Sequence, residues 1–318
     1  MTPTARTIHH IAREQRHLAW DNSIEPVLRI ASGETVTIDA VEASGGQLGP
    51  DSTIDDMARL DFAACDPVQG PIYVQDAQPG DTLQIEMLDL ETADWGWTAI
   101  IPGFGLLADE FAEPALKIWK LQDGFAEFVP GIRLPLEPFC GEIGVAPAET
   151  GAFSTIPPGP NGGNIDTKHL TKGATIYLPV LAPGALFSIG DGHAAQGDGE
   201  VCGTAIETPM RITLRLTVRK DLHVPELQYC TAGPLTPRTN IAPYYATTGH
   251  GPDLMEAARN AVRNMIEYLE RTYGLSRANA YMLCSVAADL KINEIVDAPN
   301  WIVGAYMPTS IFTGMGRS

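Results

Sequence analysis

Apolar and polar residues alternate most clearly over residues 210–218, Met-Arg-Ile-Thr-Leu-Arg-Leu-Thr-Val, where every second side chain is apolar. A period of two puts those side chains on one face of a strand, so the run predicts a half-buried β-strand. Two further segments place a turn ahead of the same alternation: residues 32–39, Ser-Gly-Glu-Thr-Val-Thr-Ile-Asp, and residues 79–86, Pro-Gly-Asp-Thr-Leu-Gln-Ile-Glu. Each reads as a tight turn feeding a strand. Residues 172–179, Lys-Gly-Ala-Thr-Ile-Tyr-Leu-Pro, are a looser third version. The three fit an internal repeat and fit equally the common chemistry of β-turns. Residues 71–75 and 186–189 add shorter strand candidates. Residues 157–164, Pro-Pro-Gly-Pro-Asn-Gly-Gly-Asn, are too polar and turn-rich for a core element and predict a loop that could lie beside a pocket.

The period changes near the end of the chain. Leu254, Ala258, Ala261, Val262, Met265, Leu269 and Tyr273 recur at helical spacing, with Pro252 at the start and Gly274 just past the end, which predicts an amphipathic helix over 252–273. Ser276 can cap a second helix running through 281–288, followed by strand-like residues 290–296 and 301–306. The C-terminal third therefore reads as α+β, and its methionines and aromatic residues read as core.

Composition agrees with many short strands. Among 318 residues there are 31 Gly and 25 Pro, and only 19% are charged, a density of turn formers that suits β structure better than a helical bundle. The formal charge of −18, from 39 acidic and 21 basic residues, repels phosphate backbones and leaves no basic stripe, which excludes nucleic acid as the expected partner. The acidic surplus itself reads as a solvated surface, although some of the carboxylates could ligate a metal. The five cysteines are odd in number, widely spaced and without a Cys-x-x-Cys pair, a pattern of reduced cytosolic thiols. The start of the chain carries no apolar signal-peptide stretch and no later segment approaches a membrane span, so the expectation is a soluble cytoplasmic protein with no membrane partner.

Several familiar catalytic patterns are missing: there is no Gly-x-Ser-x-Gly elbow, no His-Glu-x-x-His, no Walker lysine and no glycine-rich Ser-Ser cluster. Cys202 could be a thiol nucleophile, but its sequence neighbours supply no basic residue to lower its pKa. Residues 190–200, Gly-Asp-Gly-His-Ala-Ala-Gln-Gly-Asp-Gly-Glu, hold the densest set of chemical groups in the chain, with Asp191, His193, Asp198 and Glu200 among four glycines. On extended backbone, Asp191 and His193 would point to one face, as would Asp198 and Glu200. A divalent ion such as zinc accepts carboxylate oxygen and imidazole nitrogen at about 2.0–2.2 Å, and a catalytic site needs about three protein ligands plus water. The same run could be a polar hairpin in which Asp and Gly serve the backbone and His193 makes an ordinary hydrogen bond. A calcium loop is a further possibility that the oxygen-rich residues suit and His193 does not.

Residues 184–200, Gly-Ala-Leu-Phe-Ser-Ile-Gly-Asp-Gly-His-Ala-Ala-Gln-Gly-Asp-Gly-Glu, resemble the signature of the acetamidase/formamidase family. Residues 162–166 (Gly-Gly-Asn-Ile-Asp), residues 70–74 (Gly-Pro-Ile-Tyr-Val) running on to 79–81, and residues 17–20 (His-Leu-Ala-Trp) ahead of Pro26 and Gly33 carry the resemblance across roughly 15–308. It implies a β-rich fold with a smaller α/β portion, a divalent metal in the pocket, a homodimer, and hydrolysis of short amides to a carboxylic acid and ammonia. Members similar to γ-lactamases open a cyclic amide instead. Pattern and resemblance together give a mainly β expectation: a β-sandwich or barrel-like core over residues 1–220 and a smaller α+β portion over 221–318, packed as one compact unit.

On this reading Asp191 and His193 are metal ligands, with His17 or Asp166 as a third. The ion is zinc in the first instance and calcium in the second. Glu200 is the candidate general acid/base, with Asp198 its rival, and Glu207 is a further acidic candidate. Trp97, Gly163 and Asn164 are candidates on the substrate side, and Trp97 and Phe104 stand in a Gly- and Pro-rich stretch, residues 93–105, that could fold over an apolar acyl group. Each has a structural alternative. His17 could pack on Trp20, Asp166 could brace its glycine loop, Glu207 could pair with Arg211, Gly163 could serve backbone geometry and Trp97 could be core. A non-catalytic β-sandwich that binds a metal or sugar through the same loop is the competing class.

Overall fold

The structure, a computed structural model, describes residues 8–314, so the ends of the 1–220 and 221–318 portions lie outside the described residues. The alternating run forms the strand Met210–Arg219 at the centre of a six-stranded sheet. In spatial order its strands are Ile8–Ile11, Glu34–Ala40, Met210–Arg219, Thr82–Thr92, Thr175–Pro179 and Gln228–Cys230. Met210, Ile212, Leu214 and Leu216 are buried, as a period of two requires. All three turn-strand units enter this one sheet. Their turns place Gly33, Gly80 and Gly173 at φ of +89°, +96° and +91°, a left-handed backbone that glycine adopts without a Cβ clash.

A second sheet runs Gly162–Asn164, Phe139–Gly144, Phe187–His193, Val68–Val74 and Arg16–His17, with Leu28–Ile30 lying parallel to Val68–Val74. Ile38, Ile85, Met87 and Leu214 of the first sheet share a core with Ile72, Val74, Ile143, Phe187 and Ile189 of the second. Burying one such side chain stabilises by about 1.5–3 kcal/mol, so these two apolar faces bind the layers into a β-sandwich. The mainly β expectation holds.

The C-terminal elements form as their spacing predicts. The helix Leu254–Tyr273 starts at Asp253, whose side chain accepts from the Glu256 N–H at 2.8 Å, and stops at the left-handed Gly274. The helix Arg277–Ala287 starts at Ser276, which accepts from Asn279 N–H at 3.2 Å. Both belong with a three-stranded sheet of Tyr244–Gly251, Trp301–Pro308 and Asp289–Glu294. Their core of Ala261, Met265, Leu269, Val303 and Met307 continues into Trp119, Phe128 and Leu134. Those three come from a four-stranded sheet of Trp95–Ile100, Ala115–Gln122, Phe125–Val129 and Ile132–Pro135. No helix among the described residues is long and apolar enough to cross a membrane.

This second core grips the loop that follows His193. Ala194, Ala195, Val201, Cys202 and Ile206 are buried in it. The Tyr281 hydroxyl accepts from Leu107 N–H at 2.8 Å and donates to the Val201 carbonyl. Ser285 Oγ accepts from Cys202 N–H at 3.1 Å and donates to the Thr204 carbonyl at 2.7 Å, while Gly197 N–H donates to the Ser285 carbonyl at 2.8 Å. Tyr281→Phe strands the buried Leu107 N–H and takes one of two donors from the Val201 carbonyl, which keeps Leu106 N–H at 2.9 Å. Urea denaturation should therefore report a loss of about 1–3 kcal/mol.

Candidate active site

The strand Phe187–His193 delivers Asp191 and His193 to one end of the sandwich. His193 Nε2 lies 2.9 Å from Asp191 Oδ2 and 3.0 Å from Glu207 Oε2. Glu207 is placed by a two-way backbone bridge, its N–H donating to Trp97 O at 2.8 Å and its carbonyl accepting from Trp97 N–H at 2.9 Å. Its second carboxylate oxygen accepts from Ala205 N–H at 2.7 Å. Gln196 fixes the imidazole from the other side. Its Nε2 donates to the Asp166 carbonyl at 2.8 Å, which leaves Oε1 to accept from His193 Nδ1 at 2.9 Å. Nδ1 therefore carries a proton, and Nε2 faces the two carboxylates.

Gly141, on the strand Phe139–Gly144, is the floor under this group. A Cβ there would collide with Asp191 Oδ2 and come within 2.6 Å of Asp166 Oδ1 and 2.8 Å of His193 Cε1. Asp66, Asp166, Asp191 and Glu200 all carry left-handed backbone, at φ of +52°, +41°, +53° and +41°. Such conformations cost of order 1–3 kcal/mol each outside glycine and persist where the surroundings enforce them. The acids are aimed inward at the expense of local strain.

These groups line a cavity of about 550 Å³. Its described lining holds five carboxyl groups, Asp66, Asp166, Asp191, Glu200 and Glu207, against one imidazole, with no lysine or arginine. Burial, reinforced by Asp166, pushes Glu200 well above the usual carboxyl range, and Glu200 and Asp166 share a hydrogen bond. Burial raises Glu207 and Asp66 as well, with Asp191 adding to both. Burial opposes a charged His193, yet Asp191 and Glu207 overcome it and push the imidazole up. The same pairing outweighs burial at Asp191 and holds that carboxyl down. Asp166 Oδ1, Asp191 Oδ1 and Glu207 Oε2 are buried without a hydrogen-bond donor. Asp166, Asp191 and His193 can each offer one ligand atom within 4.8 Å of the others, and so can His193, Glu200 and Glu207. Converging buried acceptors that lack donors fit a divalent cation.

Among the sequence candidates, the fold brings Asp166, Asp191, His193, Glu200, Glu207, Asn164 and Trp97 to this cavity. It does not bring His17, Asp198 or Gly163 to its lining. His17 packs edge-on against Trp20, with its Nε2 2.8 Å from Ser188 Oγ and its Nδ1 2.8 Å from the Ala19 carbonyl. Asp198 and Glu200 do not share an extended segment: the chain turns at Gly199 (φ +106°), so Asp198 faces Lys168 at 3.8 Å and His169 at 3.7 Å. Gly163 pairs with Ile143 at the edge of the second sheet. Arg211 binds Asp39 at 2.8 Å, which leaves Glu207 to His193.

Sequence reasoning passed over Asp66, Gly141, Gln196, Glu42 and Glu142. Glu42 accepts from the Trp97 indole N–H at 2.6 Å and so fixes that ring as a cavity wall. Glu142 is fully buried, neither of its oxygens has a partner, and burial together with Asp191 raises its pKa well above the ordinary value. Its one visible signal was a lone acid inside the apolar strand Phe139–Gly144. Cys202 is buried with its Sγ on the Ala99 carbonyl at 3.4 Å, and burial raises its thiol pKa. That is the setting of an inert thiol.

The acetamidase/formamidase family model matches residues 5–151 and 148–314. The formamidase of Methylophilus methylotrophus is 28% identical, over 94% of this chain and 89% of its own. The fold overlays on a γ-lactamase from Delftia acidovorans with a TM-score of 0.88 at 25% identity, covering 95% of this chain and 90% of the other. An acetamidase from Bacillus halodurans overlays with a TM-score of 0.68 at 32% identity, covering 96% and 99%.

Two substitutions probe the geometry. Gly141→Ala should cost at least about a hundredfold in turnover, since displacing reacting groups by about 1 Å is enough for such a loss, while circular dichroism stays that of the parent. Cys202→Ala should keep turnover within about tenfold, against the orders of magnitude that loss of a nucleophile costs.

Proposed function

The chain belongs to the acetamidase/formamidase family and is an amide hydrolase, and from that premise we propose that the acidic cavity hydrolyses a small amide to a carboxylate and ammonia with a divalent cation, zinc first and calcium second. The observation that carries the metal dependence is the set of donorless buried oxygens around His193 Nε2. Asp191, His193 and Asp166 would hold the ion, with Glu207 against the same imidazole nitrogen at 3.0 Å. A cation bound there supplies Lewis acidity toward the carbonyl and an activated water near neutral pH.

The chain's own groups supply the rest. Amide resonance makes the nitrogen a poor leaving group, so a proton must reach it as the C–N bond breaks. Glu200 keeps a proton because it is buried beside Asp166, and the hydrogen bond between the two gives that proton a second place to rest. Glu200 is thus the donor to nitrogen in this proposal, and Asp198, engaged with Lys168 and His169, is not. Gln196 holds the His193 tautomer, and Trp97, fixed by Glu42, gives the substrate a rigid wall.

Opening of a γ-lactam is a second reading, favoured by the overlay on the Delftia γ-lactamase at a TM-score of 0.88. Within the same proposal the enzyme is cytoplasmic, which its five free cysteines support, and a homodimer, which the family resemblance supports.

Ammonia release from formamide and acetamide, and opening of a bicyclic γ-lactam, should all stop after dialysis against a chelator and return with zinc. Elemental analysis should find about one ion per chain. Asp191→Asn should lower turnover more than about a hundredfold, beyond what loss of a merely supporting group costs. Turnover indifferent to chelator and to Asp191→Asn would sink the metal mechanism, and no turnover of any amide would sink the hydrolytic one.

A further inference from the structure

The cavity is much larger than the chemistry at its inner end requires. Acetamide has four heavy atoms, which at about 30 Å³ per water-sized group fill roughly 120 Å³. The cavity holds about 550 Å³, a size that suits ligands well beyond a two-carbon amide. Its polarity is also divided. Asp191, His193 and Glu207 at the inner end are 4%, 1% and 2% exposed. Phe62, Phe104 and Ile156, which line the same cavity, are 50%, 46% and 39% exposed.

Those three apolar side chains come from segments far apart in sequence, and soluble proteins seldom gather exposed apolar residues in one place without a use for them. Trp97 lines the same cavity, 2% exposed and held by its indole hydrogen bond to Glu42. A fixed indole beside an apolar mouth suits an aromatic ring, whose stacked or edge-on contact adds to the burial of its carbons. Five carboxyl groups without a lysine or arginine in the described lining exclude a substrate with its own carboxylate or phosphate.

We propose that the substrate is a neutral carboxamide whose acyl group carries an apolar ring, held by Trp97, Phe104, Phe62 and Ile156 while its amide lies among the carboxyl groups. The inference rests on the amide hydrolysis proposed above and adds the class of acyl group. Formamide and acetamide are then poor substrates, because most of the apolar lining stays wet when they bind.

The test compares kcat/KM for ammonia release from acetamide, butanamide, benzamide and phenylacetamide. Each buried carbon should raise kcat/KM about fourfold, giving at least about a hundredfold between acetamide and phenylacetamide. Phe104→Ala should cut the phenylacetamide-to-acetamide ratio at least about tenfold, and Ile156→Trp, which fills the mouth instead of widening it, should cut the same ratio. Both positions are exposed, so neither variant removes core. Rates that fall steadily from acetamide to phenylacetamide, or a ratio unmoved by both variants, would overturn the ring-bearing substrate while leaving amide hydrolysis in place. Absence of ammonia from every one of these amides, with the bicyclic γ-lactam also left unopened, would overturn the hydrolytic reading and the acyl inference with it.

Discussion

Five carboxyl groups face one imidazole in a cavity whose described lining contains no lysine or arginine. Charges of one sign cannot be stacked in a poorly hydrated space without compensation; the groups either keep protons or gather around a cation. Groups suited to each response stand here. Glu200 and Asp166 share a hydrogen bond that keeps a proton between them, and Asp191 and Glu207 converge on Nε2 of His193. Hydrolysis of an amide needs the same two provisions, a proton for the departing nitrogen and an electrophile for the carbonyl.

That concentration of acid is held by backbone rather than by ion pairs with basic side chains. Asp66, Asp166, Asp191 and Glu200 are all left-handed, and a strained residue relaxes unless its neighbours are rigid. Two cores provide that rigidity. The sandwich fixes the strand that ends at His193, with Gly141 as a floor that admits no side chain. The α+β portion fixes the loop that follows, through Tyr281, Ser285 and the backbone of Leu290, whose N–H donates to Asp198 O at 2.9 Å. Glu200 and Asp191 thus belong to different cores and meet only because both are complete. The helices far along the chain are part of how the site is made.

How much of this the sequence disclosed follows from the range of each interaction. The strand Met210–Arg219, the three turn-strand units and the helix Leu254–Tyr273 with its Asp253 cap were legible because period and cap are local properties. Asp191 and His193 could be paired for the same reason, being two residues apart on one strand. The expectation of a second facing pair, Asp198 and Glu200, applied extended geometry to a stretch that turns at Gly199. Glu207 could not be told from a partner of Arg211, because its contacts with Trp97 and His193 lie across isolated bridges that leave no periodic trace. Gln196, Glu42 and Glu142 matter through hydrogen bonds or burial set by tertiary contact, which local spacing does not encode. His17 stayed undecided between ligand and packing for the same reason, and the fold sets it against Trp20 and Ser188.

The cavity separates chemistry from selection in a way that bears on the diversity of its relatives. Asp191 and His193 sit on a strand buried along its whole length, and Glu207 is bridged to the strand Trp95–Ile100, so a change near them strains the sandwich. Phe62, Phe104 and Ile156 sit outside the regular strands and are partly exposed, so they can vary in size at little cost to stability. Relatives at 28%, 32% and 25% identity to this chain are named for different amides, as formamidase, acetamidase and γ-lactamase. In this chain an inner end fixed by strands and an outer end of more exposed residues separate the groups that would act on the C–N bond from those that would hold what is attached to it.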